Sequence, residues 1–334
     1  MDIITELPGR YCRGWDECMR QVPPRSRLVT LEQAIASSAS YDCIIAHNIP
    51  DLLDIKTRTE PRILMLHLSL PARLVEERTQ VDAESYSAML RTFLNYTQAH
   101  AVAVTPFKGN TWGVPHDVVQ AGVEVNEFLP HTGALACGLR ICNFMQRRRQ
   151  FVYWDFYQKT FAGLRVRLVG HNPEIPGSKP TCDGHHLQRL LSSHRFFIHT
   201  ADPRLEDGFN MAVLEAMAAG LPILGNNHPT SPVEHGVSGF LSDDPVELRG
   251  YAQQLLRDRY LAQRMGQAAQ ARVQAVFPRQ RFCRGMERAI MHAKAKHGDR
   301  SRITDVLPVA LARMPIADPL KKSPVSIGLA TGAP

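Results

Sequence analysis

Two acidic side chains flank a predicted helix start within residues 196–227, which read FFIHTADPRLEDGFNMAVLEAMAAGLPILGNN. The pattern predicts a strand, an acidic loop, a helix that opens near Asn210, and an end at Gly-Leu-Pro. Free N–H groups and the positive end of the helix dipole suit a diphosphate, and Gly208 lets the backbone approach it closely. Glu215, inside the helix, can accept hydrogen bonds from the two hydroxyls of a ribose. Asp207 lies eight residues earlier, roughly 10 Å away at the helical rise, about the span from ribose to sugar in a nucleotide-sugar.

The same residues also have a purely structural interpretation. Acids just before a helix are commonly N-caps or partners of the helix dipole. Glu215 would equally suit the solvent face of an amphipathic helix. On the residues alone, both interpretations stay open.

The elements that must position these side chains follow an alternating pattern. Short apolar runs alternate with helix-like stretches, which predicts βα units around parallel sheets. In residues 1–127 we expect strands at 43–46, 63–66, 101–105 and 118–120, and helices at 31–37 and 83–97. Beyond them we expect strands at 139–143, 166–169, 196–199, 222–224 and 239–241, and helices at 151–161, 185–191, 210–219, 245–257 and 261–277. The predicted fold class is α/β, with two Rossmann-like doubly wound domains facing a cleft, where ligands bind at the carboxyl ends of the strands.

The composition excludes several classes of protein. The 334 residues are 44% hydrophobic and 21% charged, which is typical of a globular protein of about two domains. No apolar run is long enough to cross a membrane, and the N-terminus lacks the pattern of a secretory signal. The seven cysteines form no CxxC pair, so we expect neither a metal cluster nor a disulfide framework, and a cytoplasmic location. No spacing of His, Asp or Glu indicates a bound metal, and we expect no cofactor.

The net charge of +7 is concentrated in residues 249–302, which hold thirteen Lys or Arg against three acids. One interpretation is a solvated helical face. The other is a surface drawn to anionic phosphates, such as lipid headgroups at the inner face of a membrane. No nucleic-acid-binding module accompanies the basic residues, so nucleic acid is not expected as a partner.

The segment DGFNMAVLEAMAAGLPIL (207–224) resembles the donor-binding signature of the family 4 retaining glycosyltransferases, which have the GT-B fold. That signature is an acid, seven residues and a Glu, with Gly-Phe-Gly after the acid and Glu-Ala-Met-Ala-x-Gly-x-Pro at the end. Downstream, residues 233–241 and the triplet Arg264-Met265-Gly266 are similar to the rest of the family's donor domain. The resemblance is specific over residues 165–277.

The first part of the chain resembles the family more loosely but in the same order. The matching segments are YDCIIAHN (41–48), PRILMLHLSL (61–70), AVAVTPFKG (101–109), AGVEVNEFLP (121–130) and LVGHNP (168–173). The first two look like strands that end in histidine, here His47 and His67. The resemblance implies that His67 contacts the donor sugar, although a histidine after an apolar strand is often a hydrogen-bonded core residue.

Three departures from the family pattern stand out. Asp207 stands where Glu is usual, with Glu206 beside it. The family's Gly-Arg…Lys-Gly loop, whose two cations hold the diphosphate, is replaced by ICNFMQRRRQF, in which Asn143 stands at the Arg position. Arg147 and Arg148 lie near the Lys position and can clamp phosphate instead, or form a solvated loop. The opening strand and Gly-Gly loop of the acceptor domain are not evident before residue 40.

The resemblance implies a retaining glycosyltransferase that moves a sugar from a nucleotide-diphosphate donor to a hydroxyl acceptor, which is a carbohydrate, a lipid-linked molecule or a small molecule. It implies the following roles: catalytic Asp207, Glu206 and His67, and donor-binding Glu215, Gly208, Phe209, Asn210, Met211, Ala212, Arg147 and Arg148. The alternatives are a degenerate, non-catalytic binding or scaffold protein and a nucleotide-sugar epimerase of the same fold.

The predicted domain organisation places the acceptor-side domain at 1–127 and a linker at 128–138. The donor-binding domain follows at 139–297, and a disordered tail at 298–334. Nucleotide base, transferred sugar and acceptor are not specified by the sequence.

Overall fold

The computed structural model describes residues 1–6 and 17–298, and within them two α/β units follow one another along the chain. We call the described residues up to 127 the first half and residues 128–277 the second half. Each half is centred on a parallel sheet.

The first half opens with a parallel pair of strands and continues into a four-stranded sheet, the first sheet, of order β3-β4-β5-β6. Its elements are β1 (Asp2–Glu6), β2 (Arg27–Thr30), α1 (Leu31–Ala36), β3 (Ile44–Ala46), α2 (Ile49–Asp54), β4 (Arg62–Leu66), α3 (Leu70–Glu77), α4 (Ala83–Thr97), β5 (Ala99–Ala103), α5 (Pro106–Asn110), β6 (His116–Val118) and a 3-10 turn (Val125–Glu127).

The second half contains a five-stranded sheet, the second sheet, of order β11-β10-β9-β7-β8. Its elements are β7 (Leu135–Ile141), α6 (Trp154–Phe161), β8 (Val166–Val169), α7 (Gly184–Ser193), β9 (His194–Ile198), α8 (Met211–Ala218), β10 (Ile223–Gly225), β11 (Gly239–Leu241), α9 (Pro245–Arg257) and α10 (Arg259–Val276).

The central strands are buried over most of their length because helices cover both faces of each sheet. All five residues of β9 are buried, and so are the last four of β4. Such strands hold their carboxyl ends rigidly, so the loops that follow them are fixed at one edge of each sheet. Those loops carry the candidate site.

The turn after α8 explains two glycines of the sequence. Gly220 adopts a φ of +85°, which favours glycine, and ends the helix. A Cβ on Gly266 would lie only 1.8 Å from the carbonyl oxygen of Gly220, so α10 needs glycine where it crosses this turn. Close packing of α10 on α8 therefore accounts for both the Gly-Leu-Pro stop and the Arg-Met-Gly triplet.

The chain returns to the first half through a final helix, α11 (Arg279–Gly298). Its buried Ala289 and Ala293 pack in one cluster with Ile63 of β4 and Val102 of β5. The sequence assigned these residues to the donor-binding domain, whereas their core contacts are with the first sheet.

Most predicted strands and helices are confirmed to within a few residues, and the differences lie mainly in the first half. The sequence shows no evident opening strand before residue 40, whereas the structure has two strands there, β1 and β2. Helices α2, α3, α5 and α11 are additional to those expected. The expected linker at 128–138 overlaps β7, which begins at Leu135. The tail beyond Gly298 lies outside the described residues.

Several cations of the basic stretch 249–302 have structural partners. Arg249 Nη1 donates to the carbonyl oxygens of Thr160 and Ala162 at 2.9 and 2.8 Å. Arg279, the first residue of the final helix α11, pairs with Glu127 at the end of the first half. Some of the basic residues therefore stabilise the packing of helices. Contact of the others with an anionic membrane stays a prediction. No helix within the described ranges combines the length and apolar character needed to cross a bilayer.

Candidate active site

The loop between β9 and α8 carries two adjacent carboxylates into the space between the halves. Asp207 is fully buried, and its Oδ2 accepts a hydrogen bond from Thr105 Oγ1 of the first half at 2.8 Å. Burial raises the pKa of Asp207, and the Lys108 ammonium, 3.6 Å from Oδ2, acts in the opposite direction. Asp207 is thus a carboxylate that the second half supplies and the first half stabilises.

Glu206 lies between two cations, one from each half. Its Oε1 is 2.6 Å from Lys108 Nζ, and its Oε2 is 3.5 Å from Arg148 Nη2. Lys108 is only 8% exposed, so its charge is supported mainly by the two carboxylates. A buried pair of this kind costs several kcal/mol if one partner is removed, because the other charge is left unpaired.

The backbone of the acidic loop is fastened from both sides. Ser69 Oγ, which is buried in the first half, donates to the carbonyl oxygen of Leu205 at 2.8 Å. In the second half, a ring nitrogen of His228 lies 3.0 Å from the Glu206 carbonyl oxygen, and a ring nitrogen of His199 lies 3.3 Å from that of Asp207. These contacts fix where the two carboxylates point.

Gly208 is required by packing against a histidine. A Cβ at this position would come within 2.8 Å of the His228 side chain. The Gly208 N–H donates to Thr230 Oγ1 at 2.9 Å. Glycine at this position therefore has an internal packing role, beside the close approach to a phosphate that the sequence predicts.

Helix α8 begins at Met211, and Asn210 is its N-cap. Asn210 Oδ1 accepts a hydrogen bond from the Val213 N–H at 3.1 Å, which leaves first-turn N–H groups, including those of Met211 and Ala212, without an intrahelical acceptor. Phe209 is 6% exposed and packs on Phe277 with ring centroids 5.1 Å apart. Phe209 is therefore a core residue that anchors the helix start.

Glu215 lies at the start of the second turn of α8 and is half-buried. Burial raises its pKa, and Arg20, whose Nη2 is 3.8 Å from Glu215 Oε1, lowers it. A segment of the first half thus reaches Glu215, the acid predicted to bind the donor.

The arginine-rich loop after β7 sends its side chains in three directions. Arg148 turns to Glu206, Arg147 lies over the Phe144 ring, and Arg149 pairs with Asp155 at 2.6 Å. Of the two arginines expected to bind phosphate, the structure brings Arg148 to the acidic loop.

Asn143, at the family's arginine position, has a structural task. Its Oδ1 accepts a hydrogen bond from the His171 N–H at 2.8 Å and so joins the loops that follow β7 and β8.

A buried guanidinium on β7 was missed by the sequence analysis. Arg140 is 3% exposed, donates to Thr200 Oγ1 at 2.8 Å and lies 4.5 Å above the centre of the Tyr157 ring. Burial lowers its pKa, and no carboxylate among the described residues forms an ion pair with it. It lines a recess together with Cys142, Arg148, His199, Glu206 and Asn210. This recess at the carboxyl ends of β7 and β9 is the candidate donor site.

Two histidines stand at the carboxyl ends of neighbouring strands in the first half. His47 Nδ1 and His67 Nε2 are 2.8 Å apart, and the rings stack with centroids at 5.1 Å. Desolvation lowers the pKa of His67 to about 4, and the neighbouring His47 and Lys108 act in the same direction. His67 therefore lies within electrostatic reach of Lys108, on the first-half side of the site.

The first-half residues Ser69, Thr105 and Lys108 were also missed by the sequence analysis. Each lies just after a strand of the first sheet, and Ser69 and Thr105 cap the helices that follow. A hydroxyl residue one or two positions before a proline, just after a buried strand, is a detectable signal, because carboxyl ends of parallel strands line ligand clefts. The partner of Lys108 lies 98 residues away along the chain, so no local pattern could reveal it.

Comparison with known proteins agrees with this architecture. Residues 160–258 match the family model described as glycosyl transferases group 1, a stretch that contains the acidic loop and α8. No curated protein matches the chain.

Solved structures match over most of the chain. HepE of Anabaena, in complex with UDP and glucose, matches with a TM-score of 0.61 at 15% identity, over 81% of this chain and 86% of that one. Sucrose-phosphate synthase of Thermosynechococcus elongatus matches with a TM-score of 0.57 at 14% identity, over 79% and 77%. S. aureus TarM matches with a TM-score of 0.59 at 12% identity over 78% of this chain, which spans 56% of TarM. At these identities the matches show the fold, and the fold is GT-B as predicted.

Proposed function

Since the chain contains a glycosyl transferases group 1 domain on a GT-B fold, we propose that it transfers a sugar from a nucleotide-diphosphate donor to a hydroxyl acceptor, with retention of configuration. One observation carries the proposal. Glu206 and Asp207 end the loop after β9 beside a recess that holds two arginines and the start of α8. Carboxylates for sugar hydroxyls and cations for a diphosphate thus lie side by side at the carboxyl ends of the strands.

In the proposed complex the diphosphate lies at the first turn of α8. The N–H groups of Met211 and Ala212 and the guanidinium of Arg148 are the donors available there. Glu215 holds the ribose hydroxyls from the second turn of the same helix. Because Arg147 lies over Phe144, we assign the larger phosphate role to Arg148.

The sugar lies against Asp207 and Glu206, and His67 approaches it from the first half. The reaction asks for little covalent work by the protein. The negative charge that develops on the leaving phosphate is stabilised by fixed cations and helix N–H groups, and the acceptor hydroxyl is held on the same face of the sugar. Lys108 forms ion pairs with both carboxylates in the structure. Sugar hydroxyls would therefore compete with Lys108 for Glu206.

The donor class is supported by the folds that match. HepE is described with UDP and glucose, and the name of sucrose-phosphate synthase denotes a sugar-transfer product. We therefore take UDP and its sugar conjugates as first probes, with GDP and ADP beside them.

Calorimetric titration tests the donor site. We expect micromolar binding of one nucleoside diphosphate, at least tenfold weaker in Glu215→Ala because two charge-assisted hydrogen bonds are lost. Glu84→Ala, an exposed acid on α4, is the matched control and should bind as the unmodified protein does. Equal affinity in both variants would contradict the assignment of Glu215.

Binding without turnover is the competing function, and one observation favours it. The two acids are already engaged by Lys108 and Thr105, as they would be if they served only to join the halves. Slow release of nucleoside diphosphate from the matched nucleotide-sugar, with water as acceptor, separates the two functions. Release above the uncatalysed rate supports transfer, whereas tight donor binding with no release supports the binding protein.

A further inference from the structure

Three metal-ligating side chains from distant parts of the chain meet on the first sheet. They are His100 on β5, Asp117 on β6 and His292 on α11. Asp117 Oδ2 is 2.9 Å from His100 Nε2 and 2.7 Å from His292 Nδ1. The donor atoms of all three residues lie within 4.8 Å of one another. The residues are separated by 17 and 175 positions along the chain, so no sequence motif could show the cluster.

The sheet register explains why they meet. Asp117 pairs with Val102, and His100 precedes Val102 by two residues, so His100 and Asp117 project from the same face of neighbouring strands. Val102 packs in the cluster that contains Ala289 and Ala293 of α11. His292 lies one residue before Ala293 and completes the set from the helix side.

The cluster lies apart from the candidate active site. His100 is near the start of β5, whereas Thr105 and Lys108 follow the end of that strand. Its ligands belong to the first sheet and α11, and none of them contacts the acidic loop in the hydrogen bonds or ion pairs of the described residues.

We propose that His100, Asp117 and His292 bind one divalent transition-metal ion, with zinc as the best fit, and that a water molecule is the fourth ligand. Two imidazole nitrogens and a carboxylate oxygen are a common donor set for zinc. Ligand atoms about 2.0–2.1 Å from a tetrahedral zinc ion lie roughly 3.3 Å apart. The two nitrogen–oxygen separations of 2.9 and 2.7 Å therefore need to widen by about half an ångström. The ion replaces the protons that the rings now share with the carboxylate.

Exposure and charge around the cluster suit an ion of this kind. The side chains of His100 and Asp117 are 17% and 24% exposed, and that of His292 is 49% exposed. The helix side is thus open to water and to metal entry. The neighbouring cations of α11 have other partners, since Lys294 pairs with Asp42 and Lys296 donates to the Ala99 carbonyl oxygen at 2.7 Å.

Metal binding at these three residues would attach α11 to the first sheet. This helix brings the chain back from the second half, and its buried contacts with β4 and β5 are made by small side chains. A metal that joins β5, β6 and α11 holds the returning helix in place, because an ion bound only in the folded state stabilises that state.

The test uses the full chain after removal of metal with a chelator. Zinc is titrated in competition with a chromophoric chelator, and cobalt is titrated with its visible spectrum recorded. We expect one equivalent of each ion, tetrahedral cobalt bands and a rise in melting temperature with zinc. His292→Ala and His100→Gln should bind about 100-fold more weakly and lose the rise in melting temperature. Because His292 is half-exposed on a helix, its replacement by alanine should preserve the fold, which circular dichroism checks.

Two variants make the outcome specific. Lys294→Ala removes another contact between α11 and the first half without touching a ligand, and it should bind zinc as the unmodified protein does. Cys182 Sγ lies 3.3 Å from His186 Nδ1 on an exposed surface and is an alternative zinc ligand. Loss of the bound equivalent in Cys182→Ser, but not in His292→Ala, would overturn the proposal. Failure to bind zinc or cobalt stoichiometrically would also overturn it and leave the cluster as a hydrogen-bonded clamp.

Discussion

The two halves of the molecule contribute to the candidate site in different ways. The second half presents its acids from one continuous stretch, in which β9, the acidic loop and α8 follow one another directly. The first half contributes Ser69, Thr105 and Lys108 from the ends of two strands, each of which contacts the acidic loop. The candidate site residues of the second half can therefore be recognised from local sequence. Those of the first half reach the site only through the tertiary fold.

This difference has an electrostatic side. Asp207 is buried and the Glu206 side chain is 13% exposed. The nearest cation in their own half, Arg148, is 3.5 Å from Glu206 and 42% exposed. Lys108 is closer and more buried. Neither half alone neutralises its own buried charge, so the ion pair between them favours a closed arrangement. The following predictions test how far the halves depend on each other.

The largest effect is expected at Asp207. Asp207→Asn keeps the shape but removes the charge beside the proposed position of the transferred sugar, so we expect donor turnover to fall by about 10²–10³-fold. Nucleotide affinity should change less than about threefold, because the ribose and phosphate contacts are elsewhere. Turnover assays and calorimetry on the same preparation measure the two quantities. Intact turnover in Asp207→Asn, with loss in Glu206→Gln, would make Glu206 the first acid of the family pattern.

Lys108 tests whether the first half positions the acids. Lys108→Met leaves Glu206 with Arg148 alone, and we expect turnover to fall by about 10–100-fold with a smaller change in KM. Lys108→Arg should recover part of the loss, because it keeps the cation. Lys56→Met, at an exposed lysine of the same half, is the control.

Coupling between the two residues distinguishes positioning from general destabilisation. If Lys108 acts through Glu206, the double variant Lys108→Met/Glu206→Gln should be more stable than Lys108→Met alone, since the unpaired carboxylate is gone. Chemical denaturation of the four proteins measures this. Additive losses would mean that the ion pair does not join the halves.

The sequence predicted the site residues of the second half better than those of the first half. The stretch 196–227 could be interpreted because capping, turn and packing residues lie within a few positions of one another. Asp207, Glu215 and Asn210 all lie where the pattern predicts, beside the strand end and on α8. Phe209 belongs to the core, because the ring that it packs on, Phe277, lies at the end of α10.

The rest depended on contacts that sequence spacing does not encode. Lys108 meets Glu206 across 98 positions, and His292 meets Asp117 across 175. Strands β1 and β2 were not predicted, because their few apolar residues lie outside the stretches that resemble the family. Local patterns predict elements, whereas the side-chain partners across the cleft follow only from the fold.

The pH dependence of stability examines a buried group that belongs wholly to the second half. Burial lowers the pKa of His199 to about 4 from an ordinary value of 6.5. The folded state therefore resists protonation, so the stability associated with neutral His199 is complete above pH 6.5 and is lost as the pH falls towards 4. Between pH 7.5 and 5.0, the unmodified protein should lose about 2 kcal/mol more than His199→Gln.

Urea unfolding at the two pH values measures that difference. His185→Gln, at an exposed position on α7, controls for the substitution itself. Parallel loss of stability in the unmodified protein and in His199→Gln would show that His199 does not report on the interior of the second half.

The smallest effect is expected at Arg20, where the first half touches the donor site most lightly. Arg20 Nη2 is 3.8 Å from Glu215 Oε1, and the arginine side chain is 71% exposed. An exposed pair of this kind contributes at most about 1 kcal/mol. In the proposed complex, ribose hydroxyls compete with Arg20 for the Glu215 carboxylate, so Arg20→Gln should tighten nucleotide binding by no more than about threefold. Calorimetry against Glu215→Ala measures it. If Arg20→Gln instead weakened nucleotide binding by tenfold or more, the segment around Arg20 would belong to the donor site. The second half would then not bind the nucleotide alone.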